Sequence, residues 1–146
     1  MIKEYFAEYR CIYHEKKKAL KRYINAKEDF LVLSGTKYDD MPKAKSSGLG
    51  FDDLMINIEE LHTEWIRLES EYKRIKNKCL DDIHKMNDPL YESIIEYAYL
   101  DFENDKEILN SLNEYHNVEY TLGYFRILKS KATKCFKNVI TKDNNV

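Results

Sequence analysis

The chain has 146 residues, of which 43% are hydrophobic and 34% are charged, with four glycines and two prolines. This composition is typical of a helix-rich soluble protein of one domain or two very small ones, and it excludes a low-complexity chain. The formal net charge of −2 excludes a general binder of polyanions.

The cysteines and the termini bear on the cellular compartment. Cys11, Cys79 and Cys135 are odd in number and far apart, which predicts reduced thiols in a cytoplasmic protein. The first residues lack an apolar signal core, and no apolar run approaches the length needed to span a membrane. We therefore expect neither a signal peptide nor a membrane anchor.

The first predicted element is a helix over residues 2–32. Its apolar side consists of residues at helical spacing, namely Ile2, Phe6, Tyr9, Tyr13, Leu20, Tyr23 and Phe30. The basic run at residues 15–22 is either a phosphate-contacting surface or a solvated helix face, and solvated faces are more common. Residues 33–50 contain three of the glycines and one of the prolines, which predicts a long connection.

The most regular stretch is residues 51–86, which predict a second, long helix. Its apolar residues recur in alternating steps of four and three, an average of about 3.5 that is typical of helices packed along a seam. The predicted oligomer seam consists of Leu54, Ile58, Leu61, Trp65, Leu68, Tyr72 and Ile75. Residues 1–86 are therefore predicted to form a long antiparallel helical hairpin, similar to a coiled coil, for oligomerisation or partner binding.

Residues 87–140 predict a small unit of three helices. The first begins at Pro89, where the missing N–H is harmless, and the second covers residues 106–115. A tight turn at His116-Asn117 is predicted to lead into a last helix over residues 118–140, followed by a polar tail over 141–146. This order is the outline of a helix-turn-helix, so the predicted fold is all-α: the long hairpin followed by a helix-turn-helix-like unit.

Charge changes sign within this unit. Residues 87–115 contain eight acids and one base, whereas residues 116–146 contain six bases and two acids. A basic segment of this kind indicates a local anionic partner.

The candidate DNA-binding residues share one face of the predicted last helix: Tyr120, Arg126, Ser130, Thr133, Lys134 and Lys137. Arginine and lysine neutralise phosphates, while serine, threonine and tyrosine donate hydrogen bonds to them. From spacing alone, a solvated or protein-binding face is the more common alternative, and it stays open.

A linker motif resembles that of one known family. Tyr38-Asp39-Asp40-Met41-Pro42-Lys43, followed by Ser46-Ser47-Gly48, resembles the Tyr-x-x-Met-Pro linker of phage transcriptional regulators of the ArpU/RinA type. Three further matches are Ile94 to Tyr99 with the first helix of their DNA-binding unit, Glu107-Ile108 with its Glu-Ile pair, and Tyr124-Phe125-Arg126 plus Ala132 with its recognition helix. The C-terminal segment of those regulators is similar to the DNA-binding region of sigma factors.

The resemblance implies a regulator encoded by a phage or mobile element. Such a protein would bind double-stranded promoter DNA through the C-terminal helix. Its N-terminal helices would form a homodimer or contact host RNA polymerase.

An alternative function follows from the acidic residues between Asp88 and Glu114. A phage-encoded protein could use this acidic surface to bind and inhibit a host protein, such as a nucleic-acid-processing nuclease, in the manner of an anti-CRISPR protein. The four histidines and three cysteines lack metal-site spacing, and no catalytic set is visible. We therefore expect no enzyme, no metal and no cofactor.

Overall fold

The computed structural model describes residues 2–35 and 51–144, and within these ranges all regular structure is helical. The predicted all-α class is therefore confirmed. Most of the predicted 33–50 connection, including the linker resembling that of the ArpU/RinA type, lies outside the described residues. The helices are α1 (Ile2–Tyr5), α2 (Ala7–Gly35), α3 (Phe51–His84), α4 (Pro89–Ile95), a π-helical turn directly after it (Glu96–Leu100), α5 (Asp105–Tyr115) and α6 (Leu122–Asn144).

The chain divides into two compact units, and the division runs through both long helices. One, here called the two-helix unit, covers residues 11–73, and the other, the aromatic-core unit, covers residues 1–10 and 74–146. The predicted division at residue 86, into a helical hairpin and a helix-turn-helix-like unit, stays a prediction. Local patterns do not reveal that the first residues pack with the last helix, because that contact joins opposite ends of the chain.

The aromatic-core unit is built around stacked rings from distant parts of the sequence. Phe6 stacks on Phe136 with ring centroids 5.5 Å apart and on Tyr99 at 4.9 Å. The Tyr9 hydroxyl donates a hydrogen bond of 2.8 Å to the carbonyl oxygen of Leu100, and the Tyr5 hydroxyl donates to the carboxylate of Asp82. Each fully buried ring contributes about 1.5–3 kcal/mol from removal of apolar surface from water, so these contacts stabilise this unit.

The two-helix unit pairs α2 with α3. Lys16 forms an ion pair with Glu69 at 3.4 Å, Tyr13 lies 6.1 Å from Tyr72 between ring centroids, and Tyr23 stacks on Trp65 at 5.8 Å. Residue numbers rise along α2 as they fall along α3, so the two segments run antiparallel within this unit.

Part of the predicted seam on α3 therefore contacts α2 of the same chain. Leu68 and Tyr72 are buried in the two-helix unit, and Ile75 is buried in the aromatic-core unit. Leu54, Ile58, Leu61 and Trp65 are only half-buried. A role of this seam in an oligomer stays a prediction.

The last helix differs from the prediction at both ends. It begins at Leu122 rather than Val118 and ends at Asn144 rather than Ile140. Asn117 takes a left-handed backbone with φ of 53°, which breaks the helical path. The Thr121 hydroxyl then accepts a hydrogen bond of 3.2 Å from the backbone N–H of Tyr124, as a residue that caps a helix N-terminus does.

The sequence pattern predicts two inward-facing sets, and the structure differs from both: Val118, Leu122, Phe125, Ala132, Phe136 and Val139 on the last helix, and Leu90, Ile94, Ile95, Ala98 and Tyr99 on the helix from Pro89. The buried stripe of α6 consists of Phe125, Leu128, Ala132, Phe136 and Ile140, whereas Val118, Leu122 and Val139 are half-buried. In the π-helical turn, Leu100 is buried although the sequence pattern did not select it. The wider turn shifts the angular position of the residues that follow, which a regular helical period does not anticipate.

Candidate functional site

The exposed side of α6 brings together most of the predicted DNA-binding residues. Arg126, Ser130, Lys134 and Lys137 are all exposed, and each successive pair is separated by three or four residues, so their side chains share one face. Thr133 lies on the same face but is half-buried, and its hydroxyl donates a 2.8 Å hydrogen bond to the carbonyl oxygen of Lys129. We call this set, together with Lys129, the basic face.

The basic face has the form of a shallow open depression. Its volume is about 350 Å³, and it is lined by Arg126, Lys129, Ser130, Thr133, Lys134 and Lys137. Each residue that lines it carries a cationic or hydroxyl group, and such groups on an exposed helix can hold phosphate oxygens.

One carboxylate limits the charge available on this face. Asp105, the first residue of α5, accepts a hydrogen bond of 2.7 Å from Lys129 Nζ, and its other carboxylate oxygen lies 3.9 Å from Arg126 Nε. The Arg126 side chain still has 65% of its surface exposed. No ion pair of Lys134 or Lys137 is found among the described residues, so these two side chains are the least compensated cations of the face.

Tyr120 does not lie on α6, in contrast to the prediction, but in the connection that precedes it. The side-chain amide of Asn113, on α5, forms hydrogen bonds with both the backbone N–H and the backbone carbonyl oxygen of Tyr120. Its oxygen accepts from the Tyr120 N–H at 3.0 Å, and its nitrogen donates to the Tyr120 carbonyl oxygen at 3.2 Å. This clamp joins α5 to the start of α6 and fixes where Tyr120 stands.

Removing the clamp should destabilise the aromatic-core unit. We expect Asn113→Ala to lower the free energy of unfolding by about 2 kcal/mol, because two partly buried backbone groups lose their partner. Urea unfolding followed by circular dichroism measures this change. Asn113→Asp keeps the acceptor and loses the donor, so it should fall between wild type and Asn113→Ala; equal stability of all three proteins would contradict the clamp.

The aromatic-core unit also contains an acidic cluster, made up of Glu96, Asp101 and Glu103. Burial raises the pKa of all three carboxyl groups. The charge of Asp101 raises the pKa of Glu96 and Glu103 further, whereas His84 opposes the shift at Glu96. Burial disfavours the charged form of a carboxyl group; Glu96 and Glu103 are half-buried, whereas Asp101 is exposed.

The raised pKa of Glu96 predicts a pH effect on stability. The folded chain binds this proton more tightly than the unfolded chain, so stability should rise as the pH falls from neutral toward the ordinary glutamate value. Glu96→Gln should therefore raise the free energy of unfolding at neutral pH by roughly 0.3–0.5 kcal/mol, a modest effect because solvent screens this partly exposed group. Urea unfolding at neutral and acidic pH tests this, and Glu114→Gln, at an exposed position, serves as the control. A gain of equal size at both pH values would contradict it.

Sequence reasoning missed the two residues that shape the site from α5. Asp105 was counted only as one of the acids, and Asn113 was not singled out. Each acts on a residue beyond its own helix, Lys129 and Tyr120 respectively, and helical spacing carries no signal for such pairs.

The thiols and the metal-ligand residues form no further site. Cys11, Cys79 and Cys135 are free, and burial raises the pKa of Cys79 to about 11, so this thiol has little nucleophilic character. Within residues 2–35 and 51–144, no group of three or more His, Cys, Asp or Glu side chains could hold a metal ion. Over the same ranges, no helix combines the length and apolar character that crossing a membrane requires.

Comparisons with known proteins leave the site to be interpreted on its own geometry. No protein-family model matches the chain, and no curated protein or solved structure matches it either. The resemblance to regulators of the ArpU/RinA type therefore stays a prediction based on the residues quoted above.

Proposed function

We propose that the chain is a transcriptional regulator that binds double-stranded DNA through the basic face of α6. The observation that carries this proposal is the exposure of Arg126, Ser130, Lys134 and Lys137 on one side of a long helix. Cations spaced by helical turns can reach successive phosphates, and each one that does so releases counterions from the DNA.

The order of elements supports the same function. A short helix, α5, and a connection clamped by Asn113 lead into the longer, basic α6. In helix-turn-helix proteins, the second helix enters the major groove and its first residues touch base edges. Tyr120 and Arg126 lie before and within the first turns of α6, where base contacts would occur, and Lys134 and Lys137 lie farther along, where phosphate contacts would occur.

The resemblance to ArpU/RinA regulators supports the finer part of the proposal. It favours a protein encoded by a phage or mobile element that acts at promoters, forms a homodimer and contacts host RNA polymerase. We place the protein in the cytoplasm, where its three free thiols would stay reduced.

Binding of a short duplex as a function of salt concentration tests the proposal. The logarithm of the binding constant should fall linearly with the logarithm of salt concentration, with a slope of about −2 to −4, since each phosphate contact contributes about −0.9. Fluorescence anisotropy of a labelled random-sequence duplex measures this slope. An affinity that is absent at low salt, or independent of salt, would contradict binding through the basic face.

The acidic cluster favours a second candidate function, inhibition of a basic host protein such as a nuclease. In addition to burial, the three carboxylates of this cluster and the Tyr115 side chain, which is 75% exposed, all raise the pKa of Tyr97 through their charges. Such a surface is suited to a basic cleft that normally holds nucleic acid. A pull-down from host lysate separates the candidates: DNA or polymerase supports the regulator, whereas one stoichiometric nuclease supports the inhibitor.

A further inference from the structure

The two-helix unit leaves much of its apolar surface uncovered. Between residues 20 and 32 and between residues 52 and 67, none of the described side chains is buried. Leu31, Ile24, Met55 and Ile66 have 62%, 43%, 48% and 47% of their surface exposed. Most helices depend on tertiary packing for their stability, so this part of α2 and α3 lacks the cover that the aromatic-core unit has.

Four of the six exposed large apolar side chains in these stretches, Ile24, Leu31, Met55 and Ile66, lie in two stripes that also contain the half-buried Leu20 and His62, whereas Val32 and Ile56 lie outside the stripes. On α2, Leu20, Ile24 and Leu31 are spaced by four and seven residues, and on α3, Met55, His62 and Ile66 are spaced by seven and four. Each stripe lies roughly 50–70° beyond the line along which its helix contacts the other, counted toward higher residue numbers. Because the helices are antiparallel, these rotations place both stripes on the same side, which we call the flanking face.

Charge is distributed unequally between the two halves of the flanking face. Lys27 lies between Ile24 and Leu31 on α2, and Glu59 lies between Met55 and His62 on α3; both are exposed. The register set by Lys16 on Glu69 brings Lys27 level with Glu59 and Leu31 level with Met55 when it is carried along the helices. The face therefore carries one positive charge on α2, Lys27, and one negative charge on α3, Glu59, at matching heights.

We propose that a second copy of this chain covers the flanking face, giving a two-fold dimer in which α2 of each copy lies on α3 of the other. A two-fold interface uses the same patch on both copies, and here that patch is complementary to itself. Lys27 of each copy meets Glu59 of the other, while Leu31 meets Met55 and Leu20 meets Ile66. The alternative two-fold arrangement, α2 on α2, would set basic helices against each other.

The resulting assembly is an antiparallel four-helix bundle in the two-helix units. Charged residues that flank an apolar seam set the choice and orientation of partners in such bundles. The dimer concerns a part of the chain distinct from α6, so it does not rest on DNA binding, and either proposal can fail without the other.

Replacement of apolar residues on the flanking face tests the dimer. Light scattering after size-exclusion chromatography should give the mass of two chains for the full-length wild type at micromolar concentrations. Ile24→Gln combined with Leu31→Gln should weaken self-association at least about 100-fold, because each dimer loses four buried aliphatic side chains. Val32→Gln combined with Ile56→Gln is the matched control, since those side chains are 61% and 53% exposed outside the flanking face, about 100° around each helix from Leu31 and Met55, and their replacement should leave the mass unchanged.

A charge-reversal mixture tests the orientation of the helices. Lys27→Glu alone, and Glu59→Lys alone, should each weaken self-association about three- to tenfold, because two like-charged contacts replace two ion pairs. An equimolar mixture of the two variants should form mixed dimers with wild-type affinity, because both contacts are then again between opposite charges. Weakening by each single variant together with recovery in the mixture indicates contact between α2 of one chain and α3 of the other, because α2 on α2 would set Lys27 against Lys27 in the wild type and Lys27→Glu would then leave a like-charge contact unchanged.

Three results would overturn the proposal. The first is a wild-type chain that stays monomeric at every concentration, whether or not a pull-down finds a different protein on its flanking face. The second is a dimer that the control pair weakens as much as the test pair. The third is a mixture of the two charge variants that associates no better than either variant alone. Circular dichroism of each variant shows whether its helices are retained. In the mixture, each charge variant is compared with the same variant alone, so a difference in folding between the variants does not explain a recovery of association.

Discussion

Replacing Phe136 by alanine should lower the free energy of unfolding by about 3–5 kcal/mol, the range for buried Phe→Ala substitutions. The Phe136 side chain has no exposed surface, and its ring contacts Tyr5 at 5.3 Å and Phe6 at 5.5 Å between centroids. The substitution removes both aromatic contacts and leaves a cavity that rigid neighbours fill only in part. Since whole domains are stable by only about 5–15 kcal/mol, the variant should be partly unfolded near physiological temperature.

Urea unfolding followed by circular dichroism measures this loss, with Ile127→Ala as the control. Ile127 lies on the same helix but is 55% exposed, so its substitution should change the free energy of unfolding by less than about 0.5 kcal/mol. If Phe136→Ala cost no more than Ile127→Ala, the ring stack would not hold the first residues of the chain against α6.

Replacing both Arg126 and Lys134 by alanine should weaken binding to duplex DNA about 10- to 100-fold and make the salt slope less negative by roughly 2, because two phosphate contacts are lost. Both side chains are exposed, so the fold should be retained. The loss should be largest at low salt, where the release of counterions contributes most to binding.

A matched control separates the basic face from total charge. Lys131→Ala combined with Lys142→Ala removes the same two charges from exposed positions about 140–160° around α6 from Arg126, and it should weaken binding at most about threefold through the long-range field. Anisotropy titrations of both double variants at several salt concentrations measure the difference. Equal losses in the two would show that net charge, and not this face, determines the affinity.

The results for self-association and for DNA binding can combine in three ways, and each has a different meaning for regulation. If both the dimer and DNA binding are found, each dimer presents two copies of α6, and a duplex with two half-sites should bind more tightly than one with a single half-site. If the dimer is found without DNA binding, the acidic cluster becomes the next surface to test. Binding of DNA by a monomer would leave the flanking face to another partner.

The sequence alone was sufficient to predict the helices and the side of α6 that carries positive charge. The steps of four and three along residues 51–86 correspond to α3, and Pro89 begins α4 as predicted. Arg126 and Lys134 were assigned to one face because the helical period depends only on local sequence. The spacing of apolar residues shows that a segment is a helix with one buried side. It does so without information on which element covers that side, so helices can be predicted before their partners are known.

Tertiary structure decided which of those side chains are available and where the last helix begins. Asp105 pairs with Lys129 of the basic face, and the Asn113 clamp holds Tyr120 in the connection before α6. The packing of Phe6 on Phe136 places the first residues of the chain in the same unit as the last helix. These contacts join residues that lie far apart in sequence or on different elements, and their energies depend on distance in space, which no local pattern encodes.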